Sequence, residues 1–405
     1  GASNLGSLIA LLAFPLAAEP LFGAGQIGMG WAFGFVALGL LLGTSGLLAR
    51  KGAAKRATAP TTDKPTLKDY GFWLFLAFIP SSLMLAVTTT ISTDLGSFPL
   101  IWVIPLSLFL LTFVLTFTNR TFISDALLNK LFVTSLGVFA IKLSGVIDGA
   151  LTIATTGALV VAFFFVALKA HRLLYRARPG ESNLTIFYVT MSVGGALGGL
   201  FNSLLAPSLF SDLRELHVTV VLAALLLLYR INKPTSRQLT TTLIVAVVVI
   251  APVAFDSLIA PLVGKDVRLV LVGVVPLAML FVLYQKRVGA FCAIILLMGL
   301  GILNQATPSL FKDRSFFGRH LVKDTAGIRL YQNGTTIHGA QYVADFADGQ
   351  RPTPLFYYHP NAPMAQIMTS EIGKASKSIG FVGLGVGSLA CYAQPGQTWQ
   401  FYEID

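Results

Sequence analysis

Apolar and polar positions divide this chain into two unlike parts. Up to about Pro308, polar residues sit in short breaks between long apolar runs; beyond it, short runs alternate. A helix that crosses a bilayer needs about 20 apolar residues. Eleven runs approach that length: Ser3–Ala18, Gln26–Ala49, Phe72–Thr93, Phe98–Thr118, Leu127–Ile147, Ala150–Ala170, Thr185–Ala206, Leu216–Tyr229, Leu239–Phe255, Val267–Tyr284 and Val288–Ala306. The first and eighth are the weakest, being short or flanked by polar residues. In the seventh, Gly194, Gly195, Gly198 and Gly199 recur at helical spacing. Such a face lets two helices pack closely in lipid.

From Arg314 the period changes. The runs SFFGRHLVK, GIRLYQ and TTIHGAQYV are separated by DTAG and by Asn333-Gly334. Asn-Gly between alternating runs is a strong hairpin signal, so a small antiparallel sheet is expected. A loop containing PLFYYHPNAPMAQ follows, then a helix through Met368 and Ile372. Ser378–Val382 then reads as a buried parallel strand. The predicted fold is therefore mostly α. A polytopic membrane bundle of about ten to eleven spans (residues 1–307) precedes a second region (308–405). That region holds a small β-hairpin part and the start of a Rossmann-like α/β domain.

Composition supports the membrane reading. Of 405 residues, 55% are hydrophobic and 12% charged, with a mean hydropathy of +0.74. Soluble domains average about 25% charged residues. The net charge is +11, yet this is no nucleic-acid patch. From Lys312 onward eight basic residues face seven acidic ones, and the excess lies in short loops between apolar runs. The longest break, Arg50 to Asp69, holds Arg50, Lys51, Lys55, Arg56, Lys64 and Lys68, which assigns it to the cytoplasmic side. Alternation puts Arg120–Lys130, Lys169–Arg178, Arg230–Arg237 and Lys286–Arg287 on that side too. If all eleven runs cross, the polar C-terminal region falls on the other side; if one is re-entrant, it falls inside. Lys142, Lys169 and His171 lie near run ends, where they are expected to snorkel to the headgroups. Cys292 and Cys391 give neither a disulfide framework nor a metal site, and both read as small buried residues.

The chemistry concentrates near the end of the chain. Gly383, Gly385 and Gly387 follow the Ser378 strand and allow a sharp bend with close backbone approach to a ligand. Ser388 to Ala393 can start a helix, and Trp399–Tyr402 form a second strand that delivers Glu403 to its tip. Glu403 follows Gly383 by twenty residues, the place where a nucleotide site puts a carboxylate for ribose hydroxyls. Ser388 stands where a dinucleotide fingerprint has its third glycine. That spacing suits an S-adenosyl ligand better than one with a pyrophosphate. His338, alone in a strand, reads as structural.

The run RSFFG…YQNGTTIHGAQ…PLFYYHP…GFVGLGVGSLA…FYEID resembles the spermidine synthase (aminopropyltransferase) family. In particular it looks like the bacterial branch in which a major-facilitator-like membrane region precedes the synthase-like domain. SNLGSLIALLAFP, AFIPSSLMLAVTTTISTDLGSFPLIWVIPLSLFLLTF and MSVGGALGGLFNSLLAP are similar to segments of that branch, so the resemblance covers nearly the whole chain. It implies an inner-membrane enzyme that transfers an aminopropyl group from decarboxylated S-adenosylmethionine to a polyamine. It implies no metal and no nucleic acid, and it leaves a homo-oligomer open. Gly383, Gly385 and Gly387 resemble the adenosyl loop and Glu403 the ribose acid. Gln341 resembles the glutamine lining the cleft. Tyr358 and His359 resemble the pair over the substrate pocket, although Pro360 stands where soluble members carry an acid.

In that family the aspartates that bind and deprotonate the amine follow the second strand. The sequence reaches Asp405 before such a loop, so the catalytic base is unknown. The expectation is a chain truncated at both ends and inactive as it stands. Asp345 and Asp348 lie in the loop DFADGQ and read as solvated. Two other functions fit: a polyamine or small-solute transporter or membrane scaffold with a regulatory adenosyl-binding domain, and an S-adenosylmethionine-dependent methyltransferase.

Overall fold

The computed structural model describes residues 2–51, 64–96, 100–118, 121–147, 152–231, 236–304, 309–315, 317–346 and 351–404. The chain forms two compact units. One comprises Gly1–Asn202 and Leu216–Gly301, the other Ser203–Glu215 and Ile302–Asp405.

The first unit is helical. Among the described residues, six helices are long and apolar enough to cross a membrane: Ser3–Leu21, Ala24–Ala49, Leu67–Leu95, Asp125–Leu143, Ile153–Arg176 and Glu181–Leu209. They point to a membrane protein. Other apolar runs of the sequence form shorter helices. Val103–Thr116 has 14 residues, about 21 Å at 1.5 Å per residue, against a hydrocarbon core of about 30 Å. Glu215–Leu228, Thr240–Ala254 and Arg287–Leu303 are likewise short. In the run Val267–Tyr284, Lys265–Leu269, a π-helical segment at Val270–Val274 and Val275–Val282 follow one another directly.

Helix starts follow capping chemistry. Thr66 and Asp69 form a reciprocal box before Leu67–Leu95: the Asp69 carboxylate accepts from Thr66 N–H at 2.8 Å, and Thr66 Oγ1 accepts from Asp69 N–H at 3.4 Å. Ser124 Oγ accepts from Leu127 N–H to open Asp125–Leu143. The core gathers Leu76, Leu83, Leu136, Phe139, Phe163, Phe187 and Val220. Trp73 stands edge-on to Phe187 with ring centroids 5.1 Å apart, and its indole N–H donates to the Ala177 carbonyl. By contrast, the apolar helix Ala24–Ala49 has no buried residue.

The glycine-rich face is used in half. Gly194 and Gly198 lie against Leu67–Leu95: a Cβ at Gly198 would stand 2.8 Å from the Phe78 carbonyl oxygen and 2.9 Å from Ser82 N. A Cβ on Gly195 would meet nothing within 4 Å, and one on Gly199 would only graze Leu85 Cδ1 at 4.0 Å. Lys142, Lys169 and His171 each have a polar partner within the protein. Lys142 pairs with Asp94 at 3.0 Å. His171 is buried between Phe109 and Phe113, with Nδ1 2.8 Å from Thr112 Oγ1. Lys169 Nζ donates to Asn129 Oδ1 at 2.7 Å.

The second unit carries the sheets. β1 (Phe311–Arg314), β2 (Arg319–Thr325), β3 (Ile328–Asn333) and β4 (Thr336–Tyr342) form an antiparallel meander in that order. Ala326 and Gly327 make the β2–β3 turn with φ of 51° and 78°, the double left-handed bend that matches strand twist. The Asn333-Gly334 hairpin forms one residue later than expected. Asn333 still pairs, with Thr336, and Gly334 begins the loop at φ 61°. The helix after the loop breaks in two, Pro363–Thr369 and Glu371–Ala375, because Ser370 leaves helical geometry and caps the second piece. β5 (Ser378–Val382) and β6 (Thr398–Tyr402) then pair in parallel. The segment between them holds a five-residue 3-10 turn, Ser388–Tyr392, not an α-helix. Pro395 and Gly396 (φ 85°) follow at once and stop any longer helix.

Candidate functional site

The glycine bend has the backbone its sequence demands. Gly383, Gly385 and Gly387 have φ of 91°, 58° and 71°, a region in which a side chain is strained. Gly383 N–H continues the parallel ladder to the Tyr402 carbonyl at 2.7 Å. One residue on, Leu384 N–H donates to Glu403 Oε2 at 2.6 Å, and Ile404 N–H donates to Oε1 at 2.8 Å. The acid at the tip of β6 is thus fixed against the bend at the end of β5.

Glu403 and Gly385 line a cleft of about 450 Å³ with Phe311, Asp313, Ser315, His320, Tyr331, Asn333, His338 and Leu384. Small-molecule clefts run roughly 300–1,000 Å³. Gln341 lies beside a smaller cavity of about 180 Å³ that shares Gly385 and Tyr331 and reaches Val386 and Ser388. The structure therefore brings Gly385, Glu403 and Gln341 to one place. A side chain at Gly339 on β4 would run into Val386, so the bend rests directly on the meander.

Tyr358 and His359 sit differently. Tyr358 is buried behind the bend: a Cβ on Gly385 would stand 3.2 Å from its hydroxyl, and its carbonyl accepts from Tyr392 O–H at 2.6 Å. His359 turns back to accept from Asn361 N–H at Nδ1, 3.2 Å. Neither is among the residues lining the two cavities. Asp345 is half-buried, and its carboxylate accepts from Thr353 N–H at 3.1 Å. Asp348 lies outside the described residues. Cys292 and Cys391 are free and half-buried.

The sequence does not single out Asp313, His320 and Tyr331 as lining residues, and His338, expected to be structural, lines the cleft too. Strand geometry explains three of them. Phe311 and Asp313 on β1, and Ser315 just past its end, face the cleft because alternate residues share a face. His320 pairs with Asn333 and Val322 with Tyr331, so His320 and Tyr331 are diagonal neighbours on one face. His320 Nδ1 is 2.6 Å from Tyr331 Oη, and Ser315 Oγ is 3.3 Å from Nε2. His338 has a subtler cause. The β3–β4 register shifts between Tyr331, opposite Gly339, and Gln332, opposite Ile337. His338 is the extra residue of that bulge, a device that re-aims a side chain. Tyr357 O–H donates to the His338 carbonyl at 2.8 Å. Burial, then the neighbouring Tyr358, pushes the Tyr357 phenol up, so it stays a neutral donor.

The opposite face of β1 and β2 is held by acids of the same unit. Lys312 and Arg319 donate to the two oxygens of Asp212 at 2.6 and 2.7 Å. Arg314 grips Glu215 with two bonds of 2.9 Å each. Burial would raise the Asp212 carboxyl, but the bonds from Lys312 and Arg319 outweigh it and hold the group well below the ordinary carboxylate range. The arrangement can seat a polar ligand with a fixed carboxylate at one end and an Asp–His–Tyr group at the other. Among the described residues, no group of three or more His, Cys, Asp or Glu is placed to hold a metal.

Compared with family models, curated proteins and solved structures, the chain matches none of them. The likeness to aminopropyltransferases stands on the quoted residues alone.

Proposed function

We propose that the chain is a membrane protein whose C-terminal unit binds an S-adenosyl ligand and transfers an aminopropyl group to a polyamine. The observation that carries this reading is the 2.6 Å bond from Leu384 N–H to Glu403, inside a bend of three left-handed glycines that opens on a polar cleft. In this reading β5, the bend and β6 are the first unit of a Rossmann-like fold, which seats its ligand at the carboxyl ends of the strands. The bend takes the adenosyl moiety at close backbone range. Glu403 accepts the two ribose hydroxyls, and Gln341 walls the adjoining cavity.

The chemistry needs little from the protein. In decarboxylated S-adenosylmethionine the sulfonium is already a good leaving group. The amine lone pair attacks the neighbouring carbon, the C–S bond breaks with its electrons going to sulfur, and methylthioadenosine departs. The protein must align the amine and accept its proton. Asp313 and the His320–Tyr331 pair lie in the same cleft as Glu403. Among the described residues, Asp313 and His320 are the proton acceptors this reading offers.

The test incubates detergent-purified protein with decarboxylated S-adenosylmethionine plus a polyamine and, separately, with S-adenosylmethionine. Methylthioadenosine release supports aminopropyl transfer, and its loss in Asp313→Asn assigns the acceptor. S-adenosylhomocysteine release makes the chain a methyltransferase on the same cofactor geometry. Ligand binding without either product leaves the unit regulatory, in a transporter or scaffold.

A further inference from the structure

The helical unit encloses a cavity of about 260 Å³ that the reading above does not use. Two cations line it, Lys169 and Arg287, together with neutral polar groups such as Asn129 and Tyr284 and apolar ones such as Phe132 and Leu226. Among the described residues no carboxylate lines it. The partners seen for both cations are neutral: Lys169 donates to Asn129 Oδ1 at 2.7 Å, Arg287 to the Tyr229 carbonyl at 3.2 Å. Asp125, the acid of this neighbourhood, is engaged by Arg172 at 3.2 Å and by Arg176 at 2.5 Å. A third cation, Lys130, lies over the rings of Phe281 and Tyr284 at 5.1 and 5.4 Å. Lys169 is half-buried while Arg287 stands at the exposed rim. Lys169, partly drawn out of water with a neutral hydrogen-bond partner, gains most from an anion in the cavity. A basic pocket with apolar walls between spanning helices is the setting in which anionic headgroups bind.

We propose that this cavity binds a phosphate-type anion, held by Lys169 and Arg287. The apolar walls favour a phosphodiester headgroup whose glycerol and acyl portions lie against Phe132 and Leu226; a free phosphate would use the same two cations. The proposal is independent of the adenosyl site.

Native mass spectrometry and thermal melting of the full chain in neutral detergent test it, with phosphatidylglycerol, phosphatidylcholine and inorganic phosphate as probes. Phosphatidylglycerol is expected to be retained and to raise the melting temperature, and phosphatidylcholine to do neither. Lys169→Gln with Arg287→Gln is expected to weaken phosphatidylglycerol binding on the order of thirtyfold, from the usual gain per basic residue at an anionic surface. Lys169→Gln also removes the bond to Asn129, so Arg287→Gln alone, at the rim, gives a second reading at about fivefold. A response to inorganic phosphate that disappears in the same variants assigns the site to the free anion. Equal retention of both lipids with no phosphate response overturns the proposal, as does unchanged phosphatidylglycerol affinity in Arg287→Gln and the double variant.

Discussion

The helical unit and the β unit handle polar groups in opposite ways. In the core of the helical unit they are settled in small groups by short bonds, and only at its edge does Asp125 gather two cations, Arg172 and Arg176. Ser82 Oγ meets Thr219 Oγ1 at 2.6 Å and accepts from Asn202 at 2.7 Å, His171 meets Thr112, and Lys142 meets Asp94. In the β unit charges are pooled: Asp212 gathers Lys312, Arg319 and, at 3.8 Å, Arg214, while Glu215 holds Arg314. The difference follows from surroundings. In hydrocarbon a neutral hydrogen bond satisfies a polar group at little desolvation cost, whereas a charge needs a partner or a cavity. The pooled network has a second effect. By drawing Lys312 and Arg314 to one face of β1, it leaves Phe311, Asp313 and Ser315 to line the cleft on the other.

That contrast can be broken at graded cost. The largest effect is expected at Glu215. Its side chain is 2% exposed and that of Arg314 8%, so Glu215→Ala strands a buried guanidinium and should destabilise the β unit by roughly 3–5 kcal/mol, measured by denaturant unfolding. Next comes the packing that replaces charge in the helical unit. Gly198→Ala forces a methyl onto the backbone of Leu67–Leu95 and should cost about 1–3 kcal/mol. Gly195→Ala, facing open space, should be neutral or slightly stabilising. Thermal melting in detergent separates the two.

A pH titration sharpens the comparison further. Asp212 has a folded pKa below its unfolded value. Its contribution to stability is therefore complete above the ordinary carboxylate pKa of about 3.9 and is lost as pH falls through the lower folded value. Acid unfolding of the β unit should show this loss below about pH 4, and Asp212→Asn should remove that dependence while lowering stability at neutral pH. The smallest effect belongs to the exposed Asp324–Arg329 pair, bonded at 2.9 and 3.0 Å. Asp324→Asn should leave the melting temperature unchanged, since exposed pairs contribute little.

Local features were legible in the sequence. Apolar runs marked helices, alternation marked the meander, and the spacing of Gly383 to Glu403 brought acid and bend together. Features set by pairing across the chain were not. Asp313, His320 and Tyr331 share a face only once β1, β2 and β3 are in register, and His338 turns inward only because β4 carries a bulge. Nothing near Asp212 or Glu215 in sequence announces Lys312, Arg314 and Arg319, about a hundred positions away. Apolar length alone does not give helix length: Val103–Thr116 is a helix of 14 residues within a longer apolar run. Gly194 and Gly198 could not be told from Gly195 and Gly199 without knowing which face meets the neighbouring helix.

The central claim is that the carboxylate at the tip of β6 and the left-handed bend hold an adenosine between them. Titration calorimetry of the detergent-purified chain with methylthioadenosine tests it most directly. The account predicts a saturable, one-to-one isotherm for the unaltered protein that Glu403→Ala abolishes or weakens at least tenfold, about 1.4 kcal/mol, with the fold intact by circular dichroism. No heat from the unaltered protein, or equal affinity in the Glu403→Ala variant, would contradict it.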